Sequence, residues 1–163
     1  MNDVPDKRDA SDTRKDIGKG LRAMVLELTP DKVEARPSGV FGVVMDWDLG
    51  NALATLVAMA DGGTSLYLPQ GGFLGGHAHP KIREAGQAFL TVAERFVDQF
   101  PATTDFPTPK PKHARFYVLT TGGVHGSPEV ETNDLRSGQP GISELFGAAQ
   151  EVITQIRVAQ PKQ

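Results

Sequence analysis

Apolar side chains recur at helical spacing in three parts of the chain. In residues 17–28, 80–100 and 141–158 they return every three or four positions, which predicts three amphipathic helices. The middle helix has the clearest boundaries. Pro80 suits the first helical position, and Pro101 prevents the helix from continuing.

Four shorter segments predict β-strands. Residues 40–47 and 52–60 are apolar at both alternating positions, which is typical of strands covered on both faces. The alanines of residues 52–60 also suit a helix, but the flanking turns and the short length favour a strand. Residues 64–68 and 114–121 are the third and fourth strands. The connections DLGN and DGG are too short for a crossover, so the first three strands form an antiparallel meander.

These elements predict one α+β domain. Their order is α-β-β-β-α-β-(β)-α, where the bracketed element is a short edge strand around residues 129–132. This order predicts a mostly antiparallel sheet of four or five strands with flanking helices. The length of 163 residues favours a single domain, over residues 13–158. We expect a disordered tail at residues 1–12 and a frayed end at residues 159–163.

Two connecting segments are distinctive. Residues 101–113 contain four prolines, so we expect an extended, polyproline-like conformation. We interpret this segment as a stiff strap that leads to the next strand, and a PxxP-type partner motif is the alternative. Residues 122–141 are predicted to form a long polar loop.

Composition excludes several classes of protein. The net charge of −3 argues against a nucleic-acid partner, because phosphate contacts need a concentrated basic surface. The absence of cysteine excludes a disulfide scaffold and a zinc site with thiolate ligands, and it is consistent with a cytoplasmic protein. No stretch approaches the ~18 apolar residues of a membrane span, so we expect no membrane partner. No cofactor is predicted.

The sequence GGFLGGHAHPKIREAGQ at residues 71–87 raises the question of a binding site. A glycine-rich turn before a helix offers backbone N–H groups and the positive end of the helix dipole to an anion. Two cations lie in the first helical turn, where the dipole disfavours them, and such a broken local rule can mark a site. The spacing matches no phosphate-binding loop, and a sharp structural turn also explains the glycines. The candidate ligand-binding residues are Gly71, Gly72, Gly75, Gly76, Lys81 and Arg83.

The same stretch contains a candidate metal site. His77 and His79 are one residue apart, so in extended backbone both rings could meet one metal ion. If His79 instead caps the helix, its ring points away from His77. No other ligand has a diagnostic spacing. The candidates for a further ligand are Asp46, Asp48, His113 and His125.

The sequence MDWDLG raises a separate possibility. Asp46 and Asp48 would suit acid–base catalysis if they shared a cleft. However, they end a strand and open a turn, where aspartate is favoured for its own backbone hydrogen bonds, and we expect this turn role here. Trp47 points to the opposite side and is interpreted as an anchor in the core or in an interface. Phe41 and Phe73 are further interface candidates.

No catalytic motif stands out. The chain has no GxSxG, no HExxH and no cysteine nucleophile. Threonine, histidine and serine occur together in residues 120–127, but a glycine-rich loop is a poor platform for a triad. We predict no catalytic residues and favour a non-enzymatic protein.

The order of the elements resembles the roadblock/profilin-like group of small α+β modules. The resemblance rests on residues 40–68, 80–100, 114–121 and 141–158, and it covers most of the chain by order alone. It implies a dimerising, non-catalytic scaffold or regulator of a GTPase or motor. That group places two or three strands between its last two helices, whereas only one is clear here.

Two functions follow as predictions. The first is a protein-association or regulatory module that forms a homodimer or docks a protein partner, and it predicts a large apolar patch with dispersed histidines. The alternative is a domain that binds a small ligand, an anion or a metal through the glycine-rich loop of residues 70–83, with hydrolysis as an open option. It predicts a concave pocket where histidines and aspartates converge.

Overall fold

The computed structural model describes residues 20–69, 71–76, 78–137 and 141–160. The predicted tail, the start of the domain at residue 13 and the last three residues lie outside these ranges. The chain forms helix α1 (residues 20–26), a short 3-10 helix (Pro30–Lys32), β1 (Val40–Asp48), β2 (Leu53–Met59), β3 (Thr64–Tyr67), β4 (Phe73–Gly75), α2 (Pro80–Glu94), β5 (Ala102–Thr103), β6 (His113–Thr120), β7 (Gly123–Gly126), β8 (Val130–Glu131), α3 (Thr132–Arg136) and α4 (Ile142–Ala159).

All eight strands belong to one antiparallel sheet. The strand order is β4-β3-β2-β1-β6-β7-β5, and β8 pairs with the start of β6. The predicted α+β class and the β1–β2–β3 meander are confirmed. Strand β1 lies at the centre, between β2 and β6, and its pairing continues to Asp48 with β2 and to Trp47 with β6.

The sheet has more strands than the sequence predicts. Residues 122–141 were expected to form a loop with a short edge strand around residues 129–132. Strand β8 confirms that edge strand, whereas β7 and the short helix α3 were not predicted. Strand β7 has the sequence GVHG, which lacks an apolar alternation of its own, and it is ordered by pairing with the apolar strand β6. The strap contributes β5, and the glycine-rich stretch contributes β4. Four strands, β5 to β8, therefore lie between α2 and α3, whereas only one of them is clear from the sequence.

Helices α2 and α4 cover one face of the sheet. Their apolar sides pack on inward-facing residues of β1, β2 and β6 and form the larger core. Helix α2 approaches β3 closely at Gly86, where an added Cβ would lie 2.9 Å from Thr64 Oγ1. The helix ends at Glu94, earlier than predicted, because the amides of Arg95 and Phe96 bond to carbonyls three residues back and tighten the turn.

Helix α1 and the proline-rich strap cover the opposite face. Leu26 of α1 packs with Val44, Val57 and Leu119 in a second, smaller core. In the strap, the Phe106 ring meets the sheet in an edge-to-face contact. Both sheet faces are thus covered, as the apolar strands indicated, and the strap lies on the sheet.

Candidate functional site

The glycine-rich stretch makes a sharp turn back onto β3. Gly71 and Gly76 have φ values of 122° and 92°, which side-chain-bearing residues rarely adopt. At Gly72 an added Cβ would lie 1.9 Å from the Leu66 carbonyl oxygen. Gly75 pairs with Thr64 in the ladder between β3 and β4. These contacts give the glycines a conformational role, and the anion site in this loop stays a prediction.

The cations of that prediction lie at the start of α2. Lys81 and Arg83 are both exposed, and no acidic residue lies in the first turn of this helix. His79 occupies the N-cap position without a capping hydrogen bond from its side chain. The amide of Arg83 bonds to the His79 carbonyl.

The predicted metal ligands do not converge in the described ranges. His77 lies outside those ranges, and the His79 ring packs 5.9 Å from the Phe73 ring. His113 Nδ1 lies 2.8 Å from the Pro111 carbonyl, and His125 Nδ1 lies 2.9 Å from the Phe100 carbonyl. Among the described residues no three histidine or acidic side chains are grouped so as to hold a metal ion.

The two aspartates have different environments. Asp48 forms the expected turn, since its Oδ1 accepts a hydrogen bond from the Gly50 amide at 2.8 Å. The turn prediction is wrong for Asp46. Strand β1 continues to Asp48, so Asp46 lies inside the sheet and is fully buried.

The predicted interface residues contribute to the fold itself. Phe41 is buried, and Phe73 packs against the larger core. The Trp47 ring meets Phe146 edge to face at 5.4 Å, and its indole N–H donates to Thr132 Oγ1 at 3.1 Å. A role of these residues in association stays a prediction.

Asp46 is the centre of a charge cluster beneath the strap. The Arg22 guanidinium of α1 donates from Nε and Nη2 to Asp46 Oδ2, at 2.9 and 2.7 Å. Thr55 Oγ1 donates to Asp46 Oδ1 at 2.7 Å. Arg22 Nη2 also donates to the Phe106 carbonyl of the strap at 2.7 Å. One guanidinium therefore neutralises the buried carboxylate and holds the strap.

Arg115 adds a second cation to this cluster. It lies opposite Asp46 in the register of β1 and β6, and Thr55 lies opposite Asp46 on the other side. Arg115 Nε is buried and has no hydrogen-bond partner, and Nη1 makes only a long contact, 3.5 Å, to the Ser127 carbonyl. Within the part of the chain that the structure describes, Arg115 forms no ion pair.

A cavity of about 430 Å³ lies between the strap and β6. Arg115 and Tyr117 contribute to its lining, next to each other on one face of β6. The Tyr117 hydroxyl donates to the Pro107 carbonyl at 2.6 Å. Burial, and then the Asp46 carboxylate, raise the pKa of Tyr117 to about 12, so the phenol stays protonated at neutral pH. The other lining residues are Pro101, Ala102, Thr103, Asp105, Pro107, Gly126, Ser127 and Pro128.

A smaller cavity of about 270 Å³ lies beside Trp47. Its charged lining residues are two cations, Lys112 and Arg136, and two anions, Asp48 and Glu131, so they balance. Lys112 has a φ of 65°, a conformation that costs a residue with a side chain about 1–2 kcal/mol. It follows Pro111 in a turn closed by the His113 amide and the Lys110 carbonyl.

Sequence reasoning missed the cluster under the strap. One available signal was Asp46 itself, an acidic residue next to an apolar strand. The other was Arg115 at the start of the apolar segment ARFYVLTT, where a charge on a covered strand needs a partner.

No family model, curated protein or solved structure matches the chain. The resemblance to the roadblock/profilin-like group therefore rests on the order of elements alone. No helix in the described ranges has both the length and the apolar character needed to cross a membrane.

Proposed function

We propose that the protein binds a small organic anion in the cavity under the strap, with Arg115 as the counter-charge. This keeps the predicted ligand-binding alternative but moves the site from the glycine-rich loop to the opposite edge region of the sheet. The observation that carries the proposal is the position of Arg115 in the cavity wall without an ion pair among the described residues; its buried Nε also lacks a hydrogen-bond partner. The lack of cysteine supports a cytoplasmic setting for this function.

The unpaired Nε of Arg115 destabilises the ligand-free protein. Leaving a buried donor without a partner costs about 1–3 kcal/mol, and more when the group is charged. Other buried arginines in the described chain do not bear this cost, as the contacts of Arg22 illustrate. An anion in the cavity would supply acceptors to the Arg115 guanidinium, because guanidinium groups bind carboxylate and phosphate oxygens in pairs.

The shape of the site agrees with this function. A volume of about 430 Å³ lies within the usual range for small-molecule sites, ~300–1,000 Å³. The strap forms one wall and shields the cavity from part of the solvent, which strengthens the interaction of a charged ligand with Arg115. Asp105 lines the cavity as well, but it is exposed and forms no ion pair with Arg115.

The test compares Arg115→Met with the wild type by thermal unfolding in a panel of small anions. Anions are expected to raise the Tm of the wild type and not of the variant. Without ligand, Arg115→Met is expected not to lower stability, since methionine keeps the length of the stem and removes an unsatisfied charge. Arg95→Met is the control, because Arg95 is exposed and pairs with Glu144 elsewhere. A loss above about 1 kcal/mol in ligand-free Arg115→Met would make Arg115 a structural residue and contradict the proposal.

Association of two copies is a second candidate, in line with the resemblance to dimerising modules. The observation in its favour is an apolar groove of about 200 Å³ formed by Leu49, Leu68, Ile153 and neighbouring residues. Leu49 is 42 % exposed there. Light scattering at several protein concentrations tests it: Leu49→Glu is expected to dissociate a dimer of this kind, whereas a wild-type monomer at all concentrations would contradict it.

A further inference from the structure

If the proposed function holds, the residues that line the cavity under the strap also indicate which class of anion binds there. We infer that the ligand is a monocarboxylate with an apolar or aromatic body, rather than a phosphate ester. Three properties of the cavity lead to this inference: its buried charge, its free donors and its walls.

The net charge of the buried cluster favours a ligand with one negative charge. Asp46, Arg22 and Arg115 together carry a net charge of +1, because Arg22 already neutralises Asp46. A monoanion beside Arg115 makes the cluster neutral. A dianion would leave one negative charge uncompensated in a partly buried site, which is costly. Asp105 at the exposed wall, and the nearby carboxylate of Glu129, whose pKa is lowered chiefly by the Lys110 amide and in part by Arg115, would add further repulsion.

The free donors suit two oxygens. The three hydroxyl groups that line the cavity already donate to backbone carbonyls: Thr103 to Asp105, Tyr117 to Pro107, and Ser127 to Pro128. The amides of Gly126 and Ser127 are also bonded, to the carbonyls of Pro101 and Phe116. The guanidinium of Arg115 thus supplies the available donors among the described lining residues. Its paired N–H groups match the two oxygens of a carboxylate, whereas a phosphate would keep oxygens without donors.

The walls suit an apolar body. Pro101, Pro107 and Pro128 line the cavity together with the Tyr117 ring. Gly126 keeps this space open, because an added Cβ would lie 3.1 Å from the Tyr117 ring carbon Cε1. A flat or compact hydrocarbon group can contact these surfaces without leaving a polar atom unpaired.

The experiment is an NMR titration of the ¹⁵N-labelled full chain with matched probes. Benzoate, cyclohexanecarboxylate and acetate vary the body at constant charge. Benzamide and phenyl phosphate vary the head group at constant body. The measured quantities are the amide shifts of residues 102, 103, 126 and 127 in the wild type, in Arg115→Met and in the control Arg95→Met.

The inference predicts a ranking. Benzoate and cyclohexanecarboxylate should shift these amides with a Kd on the order of 1–10 mM, as expected for fragments of this size. Acetate and phenyl phosphate should bind at least about tenfold more weakly, and benzamide should not bind detectably. Arg115→Met should abolish the shifts, while Arg95→Met should keep them.

The other outcomes distinguish failure of the ligand class from failure of the anion-binding function. Tighter binding of phenyl phosphate than of benzoate, dependent on Arg115, would overturn the ligand class and leave the proposed anion-binding function standing. No localised shifts with any anion up to about 20 mM, or equal binding of benzamide and benzoate, would overturn both. Shifts of the same size in Arg115→Met would also overturn both, because the counter-charge would then lie elsewhere.

Discussion

Replacing Arg22 by methionine tests the charge cluster most directly. Asp46 is fully buried, and the side chain of Arg22 is 13 % exposed. The substitution leaves the carboxylate without its counter-ion, and breaking a buried pair in this way typically costs about 3–5 kcal/mol. The hydroxyl of Thr55 still donates to Asp46, and Arg115 is close by in the register, so we expect the low end of that range.

The loss of the strap contact adds to this cost. Arg22 Nη2 donates to the Phe106 carbonyl, and one such hydrogen bond contributes about 1 kcal/mol. The expected decrease in the free energy of unfolding is therefore about 3–4 kcal/mol. A domain of this size has a stability of only about 5–15 kcal/mol in total, so the variant should fold but unfold at a much lower urea concentration.

Urea unfolding followed by circular dichroism and by fluorescence of the single tryptophan measures this change. Arg95→Met is the matched control, since Arg95 and Glu144 are 57 % and 58 % exposed and their pair should contribute less than about 1 kcal/mol. Asp46→Asn should cost less than Arg22→Met, about 1.5–3 kcal/mol, and the double variant should lose less than the sum.

The Arg22→Met measurement is repeated in the Arg115→Met background, because Arg115 could move to Asp46 when Arg22 is absent. The cost should be larger in that background. A decrease below about 1 kcal/mol in both backgrounds would refute the reasoning, since Asp46 would then not depend on a counter-ion.

Three further predictions use other parts of the fold. Gly86→Ala should destabilise the protein by about 1–3 kcal/mol because its Cβ meets Thr64, whereas Gly147→Ala on the exposed side of α4 should stabilise it by about 0.5–1 kcal/mol. Equal effects of the two substitutions in thermal unfolding would contradict the close approach of α2 to β3. Because Lys112 has a positive φ, Lys112→Gly should leave stability unchanged or raise it by up to about 1 kcal/mol, and Lys112→Val should lower it. A Lys112→Val variant that is more stable than Lys112→Gly in urea unfolding would argue against the positive φ. The pKa of Tyr117 in the folded protein is raised to about 12, so in a Tyr67→Phe background its absorbance should titrate above pH 10. The contribution of Tyr117 to stability should be complete below pH 10 and be lost between about pH 10 and 12. A titration midpoint at pH 10 in the folded protein would contradict the burial of Tyr117.

The sequence predicts the main strands and helices well because each has its own apolar period. Strand β2 is an instructive case: its alanines suit a helix, but short turns on both sides favour a strand, and the strand is present. The edge strand expected around residues 129–132 is present as β8, but β4, β5 and β7 were missed because their pairing partners, and not their own residues, stabilise them. Residues 123–126 have no apolar alternation, yet they form a ladder with β6.

The candidate site was beyond the reach of spacing arguments. Arg22, Asp46 and Phe106 meet because α1 and the strap cross the same sheet face, and the separation of these residues along the chain does not encode that crossing. The prediction for Asp46 failed for a related reason. The apolar run of β1 ends before Asp46, but pairing with both β2 and β6 continues through Asp46 and Trp47.

The dual contact of Arg22 has a consequence for how the molecule opens. Helix α1 and the strap are separated by 84 positions at this contact, yet one guanidinium joins them. We expect them to detach together, as one cooperative unit with a single rate of amide exchange, while α2 and α4 remain packed on the other face. Such a partial opening would expose the cavity without unfolding the domain. The ligand would then enter by the release of a covering layer, and its binding would slow amide exchange in α1, which lines no part of the cavity.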